Sequence, residues 1–475
     1  MRASSHVSDT FGRNDAGLAP SGFLLFACSG TFSAFFPVML RTSLRSLTAL
    51  CSLAASALLP GASAATLTLE GALAAVEESS FTLLLSREAV LQALEVQRQS
   101  RAGLMPTVSL DAVQRRSRSA SFGENLTRGG VNDRFDANLN GRLDLLNPQR
   151  IANYAAARLG VSVAELDVDV TRQTVMATVA QTYFQHLRNL SRTVVLDANV
   201  ARARALLDLA KRQVDAQVAT QIDVTRAEAQ VATAEQARLQ HETFLQSSEL
   251  ALKRLLALEL TDGLTLSPFT VRRAEASAFA ASLEQTAFEK RVELLRAQRL
   301  LEQNELEVRA AKFGRLPAAG ITGSTGLAAQ RVFDDEDARI WAVSVSVNMP
   351  VFDGSRIKAL TNLALSRQRA QELRVQELKL RIGAEVRLAT QDARSRFAQV
   401  AVAERSKRLA EDELRLAQVR FENGVADNRE IIDAQNNLAI ASDNLVEAVY
   451  QYNLSRVELA RVTGDVRGIL AERED

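Results

Sequence analysis

Residues 341–352 read WAVSVSVNMPVF, and every second residue is apolar: Trp341, Val343, Val345, Val347, Met349 and Val351. Strict alternation predicts a strand with one apolar and one wet face. FDANLNGRLDLL (135–146) repeats the pattern, with Phe135, Ala137, Leu139, Leu143 and Leu145 on one face and Asp136, Asn138, Asn140, Arg142 and Asp144 on the other. Weaker candidates precede each, TVSLDAVQ (107–114) and the glycine-rich AAGITGSTGL (318–327). Polar connections at 115–134 and 328–339 make two hairpins of the four. Most of the remaining chain is Ala, Leu, Glu, Gln, Arg and Val in long unbroken runs, which is helix composition.

The chain is one unit written twice, the first question to ask of such a sequence. LLNPQRI (145–151) aligns with VFDGSRI (351–357), and RAGLMPTVSL (101–110) with KFGRLPAAGI (312–321), which matches Pro106 to Pro317. AKRQVDAQVATQIDVTRAEAQ (210–230) aligns with AQVRFENGVADNREIIDAQNN (417–437). Each half predicts helix, strand, loop, strand, very long helix, tight turn, long helix, over about 66–258 and 270–465. The longest proline-free runs, of about 67 residues, would span roughly 100 Å as helix. In the last helix Ile431, Leu438, Leu445, Tyr452 and Leu459 recur every seven residues, with Ala434, Ala441, Ala448, Ser455 and Val462 on the companion seam. That period means paired coiling helices. The first half keeps Val224, Val231, Leu245 and Leu252 but puts Arg238 on the seam, so its repeat slips there.

Composition excludes several classes. With 57 basic and 56 acidic residues there is no basic excess for nucleic acid. Cys28 and Cys51 are the only cysteines, and His6, His186 and His241 are scattered, so no metal set is expected. No nucleophile elbow, phosphate loop or paired Cys/His spacing suggests an enzyme or a cofactor. Residues 39–64 have the three parts of a secretory signal: Arg41 and Arg45, an apolar stretch Leu47 to Leu59, and Ala62-Ser63-Ala64. Residues 1–38 then read as an upstream extension, 65–465 as the protomer and 466–475 as a tail without readable signal. A transmembrane anchor over 23–40 and lipid attachment at a cysteine are the alternatives for the N-terminus.

Strands of about 9–11 residues cross a bilayer when tilted, but they must close into a barrel. Four are too few, since single-chain barrels begin at about eight strands, so several chains would share one barrel. Trp341 and Phe135, each opening the second strand of a hairpin, suit an aromatic belt. A soluble four-stranded sheet packed on helices remains the alternative reading of the strands.

The ordered set of motifs resembles the TolC-like outer-membrane efflux channels. Its carriers are the duplication, the Pro106 and Pro317 strand entries, the Leu145-Asn147-Pro148 and Val351-Asp353-Gly354 corners, and the tip RFENGV (420–425) followed by IIDAQNNL (431–438). The resemblance implies a mainly α fold with a small β part. It implies a homotrimer with an α-barrel of very long coiled-coil helices and a shared twelve-stranded transmembrane β-barrel, in the outer membrane of a Gram-negative-type bacterium. The partners it implies are outer-membrane lipid, a periplasmic adaptor and an inner-membrane transporter of an efflux or type I secretion system. A periplasmic coiled-coil adaptor and a structural protein are the competing functions.

In such a pore the working chemistry is charge and diameter. Glu430 and Asp433, three apart, are candidates for the constriction at the periplasmic tip, with Asp223 as the counterpart in the first repeat. Acidic residues near a helix N-terminus also serve capping and the dipole, which is compatible. Some relatives tie neighbouring tips together with an aromatic hydroxyl and a basic residue. Here those positions are Phe421 and Ala426, so Arg429 or Arg226 would supply the charge, paired to Asp223 or Glu430. Gly424 suits a left-handed turn, where the first repeat has Gln217.

Overall fold

The computed structural model describes residues 66–122, 126–261, 263–267, 280–332, 337–423, 425 and 428–470. The chain divides into two units, Met1–Gly61 and Ala62–Asp475, and every described residue falls in the second. The upstream extension, the signal segment and both cysteines lie outside the described residues.

The elements run α1 (Leu69–Ser79), α2 (Phe81–Ala102), β1 (Thr107–Phe122), β2 (Leu126–Leu146), α3 (Pro148–Asp215), α4 (Gln221–Leu255), α5 (Ala280–Lys290), α6 (Val292–Phe313), β3 (Ala318–Ala329), β4 (Asp337–Asn348), α7 (Arg356–Glu422), α8 (Asn428–Val462) and a 3₁₀ turn, Val466–Leu470. The two long helices have 68 and 67 residues. Among the described residues no helix is long and apolar enough to cross a membrane.

The four strands form one antiparallel sheet in the order β1-β2-β3-β4. Residues directly opposite share a face, so the register sorts the side chains into two surfaces. One row runs Leu110, Leu139, Thr325, Trp341, and another Leu143, Ile321, Val345. The other surface carries Ser109, Asn140, Ser324 and Arg142, Thr322, Ser344. There Asn140 Nδ2 donates to Asp111 Oδ2 at 2.6 Å, and the Thr322 and Ser344 hydroxyls are 2.7 Å apart. Trp341 is 78% exposed and Val345 68%, so the apolar face has no cover within the chain.

The strands differ from the sequence expectation at their ends. β1 and β2 continue through 115–122 and 126–134, read above as loop, because the sequence next to the membrane-length stretches, Arg115 to Arg118 and Asn132 to Arg134, is polar at successive positions and gives no alternation. β4 begins at Asp337 and stops at Asn348, short of Phe352, because Pro350 has no N–H to extend the ladder.

Each strand-to-helix corner is capped from sequence. Pro106 and Pro317 stand immediately before β1 and β3. Asn147 Oδ1 accepts the Arg150 N–H at 3.1 Å and Pro148 takes the first helical position, where a missing N–H costs nothing. Arg150 Nη1 reaches Gly103 O at 2.6 Å and Asp144 Oδ2 at 3.1 Å, joining α2, β2 and α3. In the second repeat Gly354 (φ 64°) and Ser355 (φ 72°) make the bend, and Asp353 Oδ2 accepts the Ile357 N–H at 2.7 Å.

The main core lies where the helix pairs meet: Leu73 and Val76 of α1, Met176, Val179, Tyr183 and Phe184 of α3, Leu252 of α4 and Val457 of α8. The Tyr183 hydroxyl lies 2.8 Å from Ser267 O and 3.1 Å from Leu67 O, pinning the bridge between Leu67 and Leu266. Val466 and Ile469 join this core, which corrects the reading of 466–475 as a featureless tail for residues 466–470. Two apolar residues three apart were too short a pattern to register as an element.

Candidate functional site at the helical tips and the open edges

The tip of each hairpin is a tight reversal between two long helices. In the first, Val218 N–H donates to Gln213 O at 2.9 Å; in the second, Val425 N–H donates to Arg420 O at 2.9 Å. These six-to-one bonds close helix C-termini in the same way. Gln217 takes the left-handed conformation (φ 60°) without being glycine, at a cost of about 1–2 kcal/mol. Gly424 and Ala426 lie outside the described residues.

The three acidic candidates sit in three different settings. Asp223 caps α4: its Oδ2 accepts the Thr220 N–H at 3.1 Å and the Thr220 hydroxyl at 2.7 Å, and Arg226 stands 3.8 Å away. Glu430, in the first turn of α8, is half-buried in the groove between α7 and α8 and pairs with Arg420 at 3.2 Å. Asp433 is exposed, 3.9 Å from Arg429. Arg226 stands beside Asp223 on the same helix, Arg429 goes to Asp433 and Glu430 to Arg420, so within the chain each pair lies inside one hairpin. The i to i+4 spacing brings Arg429 to Asp433 on one helix face. Phe421 is buried against Ile431, Ala434 and Leu414, a purely packing role.

Sequence reasoning missed the links between hairpins. Asn428 Nδ2 donates to Asp223 O at 3.1 Å, and Gln230 Nε2 to Asn436 Oδ1 at 2.7 Å. Nothing local marks such pairs, because they depend on how α4 and α8 meet.

The packing order leaves the same two sides of the chain open along its length. Near the strands the helices pack in the order α2-α3-α6-α7, and near the tips α4-α3-α8-α7. One side is thus β1, α2 and α4; the other is β4 and α7. The outer helices carry exposed apolar side chains: Phe81 and Leu85 on α2, Leu239 and Phe244 on α4, and Val402, Leu409 and Leu416 on α7, of which Leu409 and Leu416 border the groove beside α8. The α7 set recurs every seven residues, which is the repeat of a helix awaiting a coiled partner. The unpaired backbone of β1 and β4 is likewise open to another strand.

The profile of the family described as outer membrane efflux protein matches residues 72–258 and 283–465. Outer membrane protein OprJ of Pseudomonas aeruginosa is 23% identical over 340 residues, covering 70% of this chain and 68% of its own. The solved outer membrane protein VceC of Vibrio cholerae superposes with a TM-score of 0.70 at 18% identity, over 84% of this chain and 96% of that one. A membrane protein from Pseudomonas aeruginosa gives a TM-score of 0.73 at 21% identity, over 84% and 90%.

Proposed function

The chain belongs to the outer membrane efflux protein family, and from that premise we propose that three copies of it form one passive conduit across the outer membrane and the periplasm. The observation that carries the reading is the pair of open edges. Edge β1-α2-α4 of one copy faces edge β4-α7 of the next, a head-to-tail contact that closes into a ring when the rotation fits. Three sheets of four strands then give a twelve-stranded barrel with no free edge, its Trp341–Val345 face toward lipid and its Asn140–Asp111 face toward the pore. The helices continue the conduit through the periplasm. Its cargo, small molecules or polypeptides, is delivered by an inner-membrane pump through a periplasmic adaptor at the tips.

Glu430 and Asp433 supply negative charge at the tip entrance, six carboxylates in the ring, and Asp223 holds the neighbouring turn in shape. Arg420 and Arg429 offset part of that charge, so the entrance is a mixed ring with Asp433, the more exposed carboxylate, as its acidic face. Planar-bilayer recording tests both levels of the proposal. The wild-type protein conducts and prefers cations, and Glu430→Ala with Asp433→Ala lowers the cation-to-anion permeability ratio toward one. Unaltered selectivity removes these residues from the pore, and absence of any conductance removes the channel.

A further inference from the structure

We propose that a buried histidine layer makes the α3–α4 pair an acid-labile element, through which proton concentration changes the state of the conduit; the effect on conduction rests on the channel reading above. The layer consists of His186 and Asn189 on α3 and His241 and Ser248 on α4, each more than nine-tenths buried. His186 Nδ1 lies 2.9 Å from Ser248 Oγ. Asn189 Nδ2 donates to Ser248 Oγ at 2.9 Å and to Phe244 O at 3.2 Å. His241 Nε2 lies 2.8 Å from Asn189 O, a group that only accepts, so this nitrogen carries hydrogen. Ser248 Oγ is also 2.8 Å from Leu245 O. Four side chains thus hold two helices together where the other seam positions, Val224, Ala227 and Leu252, are apolar.

The second repeat is an internal control. By the alignment of 210–230 with 417–437, His241 corresponds to Ala448 and Ser248 to Ser455, while His186, between this block and that of 145–151 with 351–357, falls at Asp392 or Ala393. Neither position carries a histidine in the second repeat, so the α7–α8 pair has no such histidine layer.

A neutral His186 satisfies this arrangement with either ring nitrogen protonated, because the Ser248 hydroxyl can turn to donate to Nδ1 or to Leu245 O. A charged ring carries hydrogen on both nitrogens and needs two acceptors, of which the layer supplies one, Ser248 Oγ at Nδ1, and burial penalises the charge itself. Burial, first, holds the ring below the ordinary 6.5; Glu249 opposes this and Lys253 reinforces it. Glu249 and Lys253 are themselves paired at 2.6 Å. The remaining charges nearby are committed elsewhere: Arg238 to Asp197 at 2.7 Å, and on the α8 side Glu447 to Arg188 at 2.6 Å and Asp443 to Arg192 at 2.9 Å. Because the folded ring binds its proton less readily than the opened one, pairing is at full strength above pH ~6.5 and weakens as pH falls below it. One histidine changes the opening equilibrium by up to about tenfold per pH unit, until the folded ring itself titrates.

Amide hydrogen exchange on the detergent-extracted full chain, at about pH 7.5 and about pH 5.5 and corrected for the chemical rate, reads this directly. Protection around 186–200 and 238–250 falls by up to about tenfold at the lower pH, while the matching stretches of α7 and α8 keep theirs. His186→Leu with Ser248→Ala, which leaves Asn189 its bond to Phe244 O, keeps α3–α4 protection at both values. Equal change in both repeats, no change in either, or a shift that survives in the variant overturns the proposal; if the variant fails to fold, the comparison between repeats in the wild type decides it. Single-channel recording at the same two pH values separates the two readings. Loss of protection without conductance at any pH keeps the acid-labile pair and refutes the channel, and unaltered exchange in a conducting protein does the reverse.

Discussion

Val345→Arg abolishes assembly in the outer membrane, and Ser346→Arg, one residue further along β4, leaves it intact. Val345 stands in the apolar row with Ile321 and Leu143, whereas Ser346 pairs with Gly320 and Asp144 on the polar surface. An arginine on the lipid face near the midplane costs about 2–4 kcal/mol, and three copies multiply that to about 6–12 kcal/mol. This is comparable with the whole stability of an ordinary folded domain, about 5–15 kcal/mol. At position 346 the same side chain extends into water and is hydrated. The amount of trimer in the outer-membrane fraction measures both variants side by side. Equal tolerance, or equal loss, would mean that the two faces of the sheet do not meet lipid and water.

Gly326→Ala disrupts the β2–β3 ladder, while Gly323→Ala, on the same strand, is accepted. A Cβ at Gly326 would overlap the Ala137 carbonyl oxygen and Asn138 Oδ1 and lie 2.8 Å from Asn138 Cα. The Asn138 side chain can turn aside, but the carbonyl belongs to the neighbouring strand and moves only with it. Overpacking of this kind costs about 1–3 kcal/mol and sometimes more, again in each of three copies. At Gly323 the nearest atom is 3.9 Å away. Thermal dissociation of the detergent-extracted protein reads the difference as a lowered midpoint for Gly326→Ala alone. Midpoints lowered equally would contradict the close approach at Gly326.

What the sequence discloses follows from where physical contrast exists. The alternating portions of β2 and β4 are legible because one face is apolar and the other polar. Their extensions beyond are not, since Arg115, Ser117, Asn132 and Arg134 on one face and Arg116 and Asp133 on the other are alike polar. The long helices are legible from unbroken composition and the seven-residue repeat, and Phe421 from its lack of a hydroxyl. The partners of Glu430 and Arg429 are not, because Arg420 reaches Glu430 across the turn between α7 and α8. The histidine layer is the plainest case. His186 and His241 look scattered along the chain, and only the α3–α4 pairing sets them in one layer; the slip at Arg238 was its sole trace. Arg238 leaves the seam for Asp197, and the buried stripe passes to His241 and Ser248.

The most direct test of the shared barrel is the mass of the detergent-extracted protein, by light scattering with the bound detergent subtracted. Three protomer masses, recovered from the outer-membrane fraction, is the result that joins edge β1-α2-α4 to edge β4-α7. A monomer or dimer soluble without detergent would make the four strands an ordinary sheet and end the channel account.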